Sequence, residues 1–284
     1  MKKNKIVCVL MLLFLCVPVL AQRSEIGAIA GASFYLGDLN PKKLFSQSKF
    51  SGGVFYRYNI DTRWAFRANL MYMGLSADDK KMKNPRNLNF KNNVYDFSAM
   101  IEVNFLNFFV GSKHEYRFTP YLTAGVAVFF HNPKAYYFNE HGKTLWQDLQ
   151  VLHTEGQGMM EYPNAKPYSL VQFAIPFGVG FKYSISQRLC IGVEWTFRKT
   201  FTDYIDDVGG AYADPALLMA EYGGLSAYFS DPSENGNPVG SLRGNPSTKD
   251  WYSMAGFTLS IKLGTQDPPC SSYPRSAIDR VKKR

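Results

Sequence analysis

Between residues 50 and 263 the chain keeps returning to strict every-second-residue alternation, in stretches of about ten residues. The last stretch is the clearest. Trp251, Ser253, Ala255, Phe257, Leu259, Ile261 and Leu263 share one face, and Tyr252, Met254, Gly256, Thr258, Ser260 and Lys262 share the other. Side chains alternate across a strand, so one face is almost wholly apolar and the other small or polar. Strands of soluble sandwiches are usually shorter, about five or six residues. A tilted strand that crosses a bilayer needs about 9–11. Repeated strands of that length predict an all-β fold, a transmembrane β-barrel with lipid outside and a polar interior.

The start of the chain points to export. Lys2, Lys3 and Lys5 precede an apolar run, 6–20, broken only by Pro18, and Val19-Leu20-Ala21 makes an acceptable cleavage site. This reads as a signal peptide over 1–21, too short for a membrane-spanning helix. Cys16 follows Leu15 where a lipoprotein needs a small residue. The expected division is a signal over 1–21, a barrel over 22–263 and a basic periplasmic tail over 264–284. The 18 Tyr and 22 Phe suit aromatic girdles at the two membrane interfaces. The net charge of +9 could suggest a nucleic-acid partner. In an exported barrel it reads instead as solvated surface, with no nucleic acid involved. After cleavage only Cys190 and Cys270 remain, which excludes a disulfide scaffold.

Eight antiparallel strands in up-and-down order are expected at 25–36, 50–58, 64–75, 94–106, 117–130, 169–183, 188–201 and 250–263. Even numbers from eight upward are the rule for single-chain barrels. The connections 59–63 and 184–187 are short and 107–116 is moderate. Those at 37–49, 76–93, 131–168 and 202–249 are long. Short turns lie in the periplasm and long loops outside, so both termini are expected in the periplasm. Parity then turns Val171, Phe173, Ile175 and Phe177 toward lipid, and Arg57, Arg67, Asp96, Glu102, Glu194 and Arg198 inward. An eight-stranded barrel is just wide enough to be filled by side chains. Unpaired charges there are costly, so Arg57, Arg67, Glu102, Glu194 and Arg198 are expected to pair and plug the lumen. Inward Gly178, Gly180 and Gly192 would relieve crowding.

One candidate site follows the seventh strand. Asp203, Asp206 and Asp207 could offer oxygen ligands to Ca²⁺, but the spacing is not that of an EF-hand. The alternative is a polar strand end that hydrogen-bonds its own loop. Neither metal nor cofactor is expected. A barrel enzyme would need a nucleophile, base and orienting acid at one rim, and the best assembly is Ser169 with His131 and Glu161. Solvated loop histidines, His114, His131, His141 and His153, are the plainer reading. At the chain's end, Arg275, Arg280, Lys282, Lys283 and Arg284 outweigh Asp267 and Asp279. Cys190 and Cys270 both fall near the periplasmic mouth, an oxidising compartment. A disulfide between them and a pair of free thiols are both open.

Several segments have a familiar order. They are Gly31-Ala32-Ser33-Phe34-Tyr35-Leu36-Gly37-Asp38-Leu39-Asn40, Tyr56-Arg57-Tyr58-Asn59, Phe118-Thr119-Pro120-Tyr121, Thr202-Asp203-Tyr204-Ile205-Asp206-Asp207-Val208 and Arg243-Gly244-Asn245-Pro246. In this order the chain resembles the PorG-like outer-membrane β-barrel proteins of the type IX secretion system. The resemblance implies a non-enzymatic role: anchoring or assembling a periplasmic ring made of a lipoprotein and its partner subunit. The tail residues Arg275, Arg280, Lys282, Lys283 and Arg284 are then the expected periplasmic contact. A barrel enzyme acting on lipid or peptide and an external adhesin remain alternatives.

Overall fold

The computed structural model describes residues 23–264 apart from 41–44, 46, 80–85, 112–114 and 139–140. The expected signal over 1–21, His114, Cys270 and the basic residues of the tail lie outside the described residues.

Eight strands close on themselves. They are β1 (Ser24–Leu36), β2 (Lys49–Asn59), β3 (Trp64–Asp78), β4 (Asn89–Asn104), β5 (Phe118–Phe130), β8 (Val171–Ser184), β9 (Leu189–Thr200) and β10 (Trp251–Lys262). Each pairs antiparallel with its neighbours in chain order, and β10 pairs back onto β1 from Leu36↔Trp251 to Glu25↔Lys262. This is the expected eight-stranded up-and-down barrel. Alternation decides which way each side chain points. On β8, Val171, Phe173, Ile175, Phe177, Val179 and Phe181 are exposed, while Ala174, Pro176, Gly178 and Lys182 between them are buried. The same exposed apolar face continues on β4 with Tyr95, Phe97 and Ile101 and on β10 with Phe257, Leu259 and Ile261. A continuous apolar wall around a polar interior is the surface of a barrel standing in lipid. This chain is therefore an outer-membrane β-barrel.

The short connections form as local chemistry directs. In the turn before β3, Asp61 Oδ1 accepts from the backbone N–H of Arg63 (2.6 Å) and Trp64 (2.7 Å). Before β9, Ser186 Oγ accepts from Leu189 N at 3.1 Å. Both are the side-chain-to-backbone bonds that Asp and Ser make in turns.

Two long loops depart from the irregular loops expected. The 131–168 connection contains a hairpin, β6 (Lys134–Phe138) and β7 (Thr144–Asp148), that extends the sheet from β4 through the bridge Lys91↔Lys134. The 202–249 connection contains two helices, α1 (Pro215–Tyr222) and α2 (Gly224–Ser230). Asp214 caps α1 by accepting from Ala216 N at 2.8 Å, and Pro215 follows at the first helical position, both ordinary helix-start signals. The helix is hidden in the sequence because it has no apolar stripe. Leu218 is buried, but Leu217 and Met219 on either side are exposed. The 76–93 loop is shorter than expected, since β3 and β4 run on together to Asp78↔Asn89.

The interior has two halves. Toward the short turns it is charged. Toward the long loops it is apolar, built from Ile29, Met71, Met73, Phe90, Phe129 and Met254, and this core continues into the loop residues Ile205 and Val208.

Candidate functional site

The charged half of the lumen comes from inward positions on six strands. Arg57 of β2 and Arg67 of β3 are direct cross-strand partners, and like charges placed so repel each other. Carboxylates relieve them. Arg57 Nη1 donates to Glu25 Oε2 at 2.8 Å and Arg57 Nε to Glu102 Oε2 at 3.1 Å. Arg67 holds Glu194 through both terminal nitrogens, at 2.5 and 2.7 Å. Lys182 Nζ donates to Glu102, and Tyr121 Oη donates to Glu194 Oε2 at 2.6 Å. Three carboxylates thus meet three cations, with Asn59 and Ser260 filling the remaining valences of Glu25. Gly180 makes the room, because a Cβ there would lie 2.3 Å from the Tyr121 ring.

Ion pairs join Arg57, Arg67, Glu102 and Glu194 in one network. Arg198 does not join them. It lies 3.5 Å from Asp96, higher in the barrel, beneath the ring of Tyr252. The register lifts β9 so that Arg198 stands opposite Tyr252 and Pro176. Glu25 and Lys182 were missing from the expected set. Parity would have found both, since Ile26 and Phe181 beside them face lipid.

At the short-turn end the segment 105–111 folds under the barrel. Phe108 and Val110 pack with Cys190 in a buried cluster. Lys262 Nζ donates to Val110 O at 3.1 Å, and Gly111 N donates to Ser184 Oγ at 3.1 Å. Gly111 has φ 76°, and a Cβ there would lie 2.1 Å from Gln187 O, so only glycine fits.

At the other end the acidic motif is not an exposed patch. It is the keystone of a cap formed by the long loops. Ile205 O accepts from Asn92 Nδ2 of β4 at 2.7 Å. Asp206 Oδ2 lies 2.6 Å from Tyr35 Oη of β1. Asp207, at φ 67°, accepts from Thr154 Oγ1 and Tyr168 Oη, each at 2.6 Å. Arg243 is buried against it. One terminal nitrogen donates to Asp207 O (2.5 Å) and Glu155 Oε1 (3.0 Å), while Nε and the other reach the carbonyls of Ser230 and Phe229. The rings of Tyr168 and Tyr204 stack at 4.7 Å, 6° from parallel. The motif therefore bonds within its own loop, through Val208, Arg243 and Lys249, and also to the other loops and the strand ends. Burial raises the Asp207 carboxyl to about 6 despite Arg243 beside it. It raises Asp203 likewise to about 6, against Lys249 at 3.5 Å. Among the described residues no three His, Cys, Asp or Glu side chains are arranged to hold a metal ion.

The assembly considered for catalysis does not come together. Ser169 Oγ is committed to Val171, donating to its O at 2.9 Å and accepting from its N at 3.1 Å. His131 is fully buried, with Nδ1 3.3 Å from Asn92 Nδ2 and its ring stacked on Tyr168. Burial lowers His131 to about 4, which keeps it neutral. Glu161 is exposed.

Residues 4–153 match the family described as a domain of unknown function, DUF6089. No curated protein matches the sequence. Among solved structures the chain is similar to Neisserial surface protein A, at 10% identity and TM-score 0.42, over 84% of this chain and 96% of that one. It is also similar to OprG from Pseudomonas aeruginosa, at 11% identity and TM-score 0.39, over 84% and 96%. A third is Ail, the attachment invasion locus protein of Yersinia pestis, at 9% identity and TM-score 0.36, again over 84% and 96%. The chain belongs to the DUF6089 family.

Proposed function

We propose that this DUF6089 barrel is a non-enzymatic component of a protein-secretion apparatus of the type IX kind, anchoring or assembling a periplasmic ring in the outer membrane. The observation that carries this reading is the filled interior. Ion pairs occupy one half, an apolar core the other, and Phe108 and Val110 underlie the short-turn end. A barrel packed in this way acts through its rims. The partners in this reading are a ring lipoprotein and its companion subunit. Their contact is the tail residues Arg275, Arg280, Lys282, Lys283 and Arg284, with the exposed Arg63, Arg117 and Arg188 of the short-turn rim offering further positive charge. A Cys190–Cys270 disulfide would tie the start of the tail to the mouth. Because Cys190 is buried against Phe108 and Val110, that bond requires the 105–111 segment to move aside.

Truncation after Leu263 tests the reading. The barrel should still fold, and recovery of the ring lipoprotein by crosslinking should fall. Unchanged recovery would assign the contact to the short turns. Two cysteines labelled under denaturing, non-reducing conditions would rule out the disulfide. In a planar bilayer the protein should show no open-channel conductance.

An external adhesin is the second reading. Met219 and Leu242 stand out from the cap with 60% and 69% of their surface exposed.

A further inference from the structure

Three buried oxygens stand in a row where the cap meets the barrel. Asp206 Oδ2 lies 2.6 Å from Tyr35 Oη, and Tyr35 Oη lies 2.8 Å from Asp250 Oδ1. A tyrosine hydroxyl carries one proton. It fills one of these contacts. The other sets two oxygens at hydrogen-bond distance, which needs a second proton, carried by one of the carboxyls.

The far oxygens hold both carboxyls in place. Asp206 Oδ1 accepts from Val208 N at 3.0 Å, and Asp250 Oδ2 accepts from Ile205 N at 2.9 Å. Nearby cations are engaged elsewhere. Arg243 binds Glu155 and the Asp207 carbonyl, Lys249 faces Asp203, and Arg86 binds Asp79. Asp38 and Asp203, from the adjoining loops, add negative charge. From the end of β5, His131 faces Asn92, which in turn holds Ile205 O.

We propose that Tyr35, Asp206 and Asp250 share one extra proton, and that this proton latches the 202–208 loop and the cap it carries onto the barrel mouth. Losing the proton leaves two buried carboxylates facing each other across a single hydroxyl, with no cation between them. The latch then opens, and Ile205 and Val208 lose their seat in the core.

The direction with pH follows. Burial raises Asp206 to about 8 and Asp250 well above the ordinary carboxylate range, the latter helped by the charge of Asp206. A carboxyl raised in the folded state contributes its full stability below the unfolded value, about 3.9. That contribution is lost as pH rises through the folded value. Between the two, the equilibrium constant for opening should grow up to about tenfold per pH unit, one proton being released.

Amide hydrogen exchange on the full-length protein in lipid discs, corrected for its intrinsic pH dependence, reads the latch. From about pH 5 to about pH 8 exchange in 202–208 should speed up more than tenfold, while the barrel strands stay protected. Asp206→Asn supplies a permanent N–H donor to Tyr35 and should flatten this response. At about pH 7, above the values near 6 of Asp203 and Asp207 and below that of Asp206, an infrared band of a protonated, buried carboxyl should be present in the parent protein and missing from Asp206→Asn. A flat response in the parent protein overturns the proposal. So does an undiminished response in Asp206→Asn, or no such band in the parent protein at about pH 7. If Asp206→Asn fails to insert, the parent's response and band decide the question.

Discussion

The lumen and the cap both bury carboxylates, and they answer them differently. In the lumen Glu25, Glu102 and Glu194 each touch a guanidinium or an ammonium. In the cap Asp206 and Asp250 touch a tyrosine and backbone amides, and Asp207 takes two hydroxyls before it meets Arg243. The source of each group explains the contrast. Lumen residues are fixed by strand registers, so a long cation on one strand can be set against an acid on another. Most cap residues come from loops, whose mutual placement no strand register sets. Their donors are hydroxyls and main-chain N–H groups already at hand. Such a site is satisfied without a full set of countercharges and is correspondingly sensitive to protonation.

Removing one partner from each region should sharpen this contrast. Arg57→Ala strips Glu25 and Glu102 of a shared cation. Breaking a buried pair costs about 3–5 kcal/mol, and this change should fall at the upper end because two acids are affected. The heat-modifiability midpoint of the whole barrel on gels should drop, and an unchanged midpoint would mean that water already fills the lumen. Arg243→Ala leaves Glu155 and Asp207 uncompensated and should cost about 3 kcal/mol, but only within the cap. Limited proteolysis between 202 and 249 should accelerate while the barrel midpoint holds. A fall in both together would show that cap and barrel unfold as one unit.

The acid side of the cap gives a smaller effect of opposite sign to the latch. His131 is lowered from 6.5 to about 4 by burial, so the unfolded cap binds its proton more tightly. Its contribution is complete above the unfolded value and is lost as pH falls toward 4. The loss should reach about 2–3 kcal/mol, visible as faster cap exchange in acid and abolished by His131→Gln. If that variant keeps the acid weakening, another group carries it. The smallest expected change is Asp214→Ala. Removing this cap from α1 should cost about 1 kcal/mol, read as faster exchange in 215–222 alone.

How much of this was legible depends on the range of the interaction. Period-two alternation is local, so the eight barrel strands fall within a few residues of their expected limits, and Arg57, Arg67, Glu102 and Glu194 point inward as parity requires. The helices α1 and α2 left only a weak trace, the Asp214-Pro215 start, because their exposed apolar residues follow no period. For the acidic motif the sequence marked Asp203, Asp206 and Asp207 and left their partners open. Tyr35 and Asp206 are 171 positions apart, and nothing local links them.

The sequence by itself determined the closed antiparallel barrel, its lipid-facing wall and the identity of most lumen charges, because each follows from side chains alternating along a single strand. Only the tertiary structure decided that Arg198 turns to Asp96, that Lys182 completes the lumen network, and that Asp206 meets Asp250 across Tyr35. Those outcomes depend on the stagger between strands and on where the loops cross. They emerge only when the ring has closed and fixed the height of every residue above the membrane.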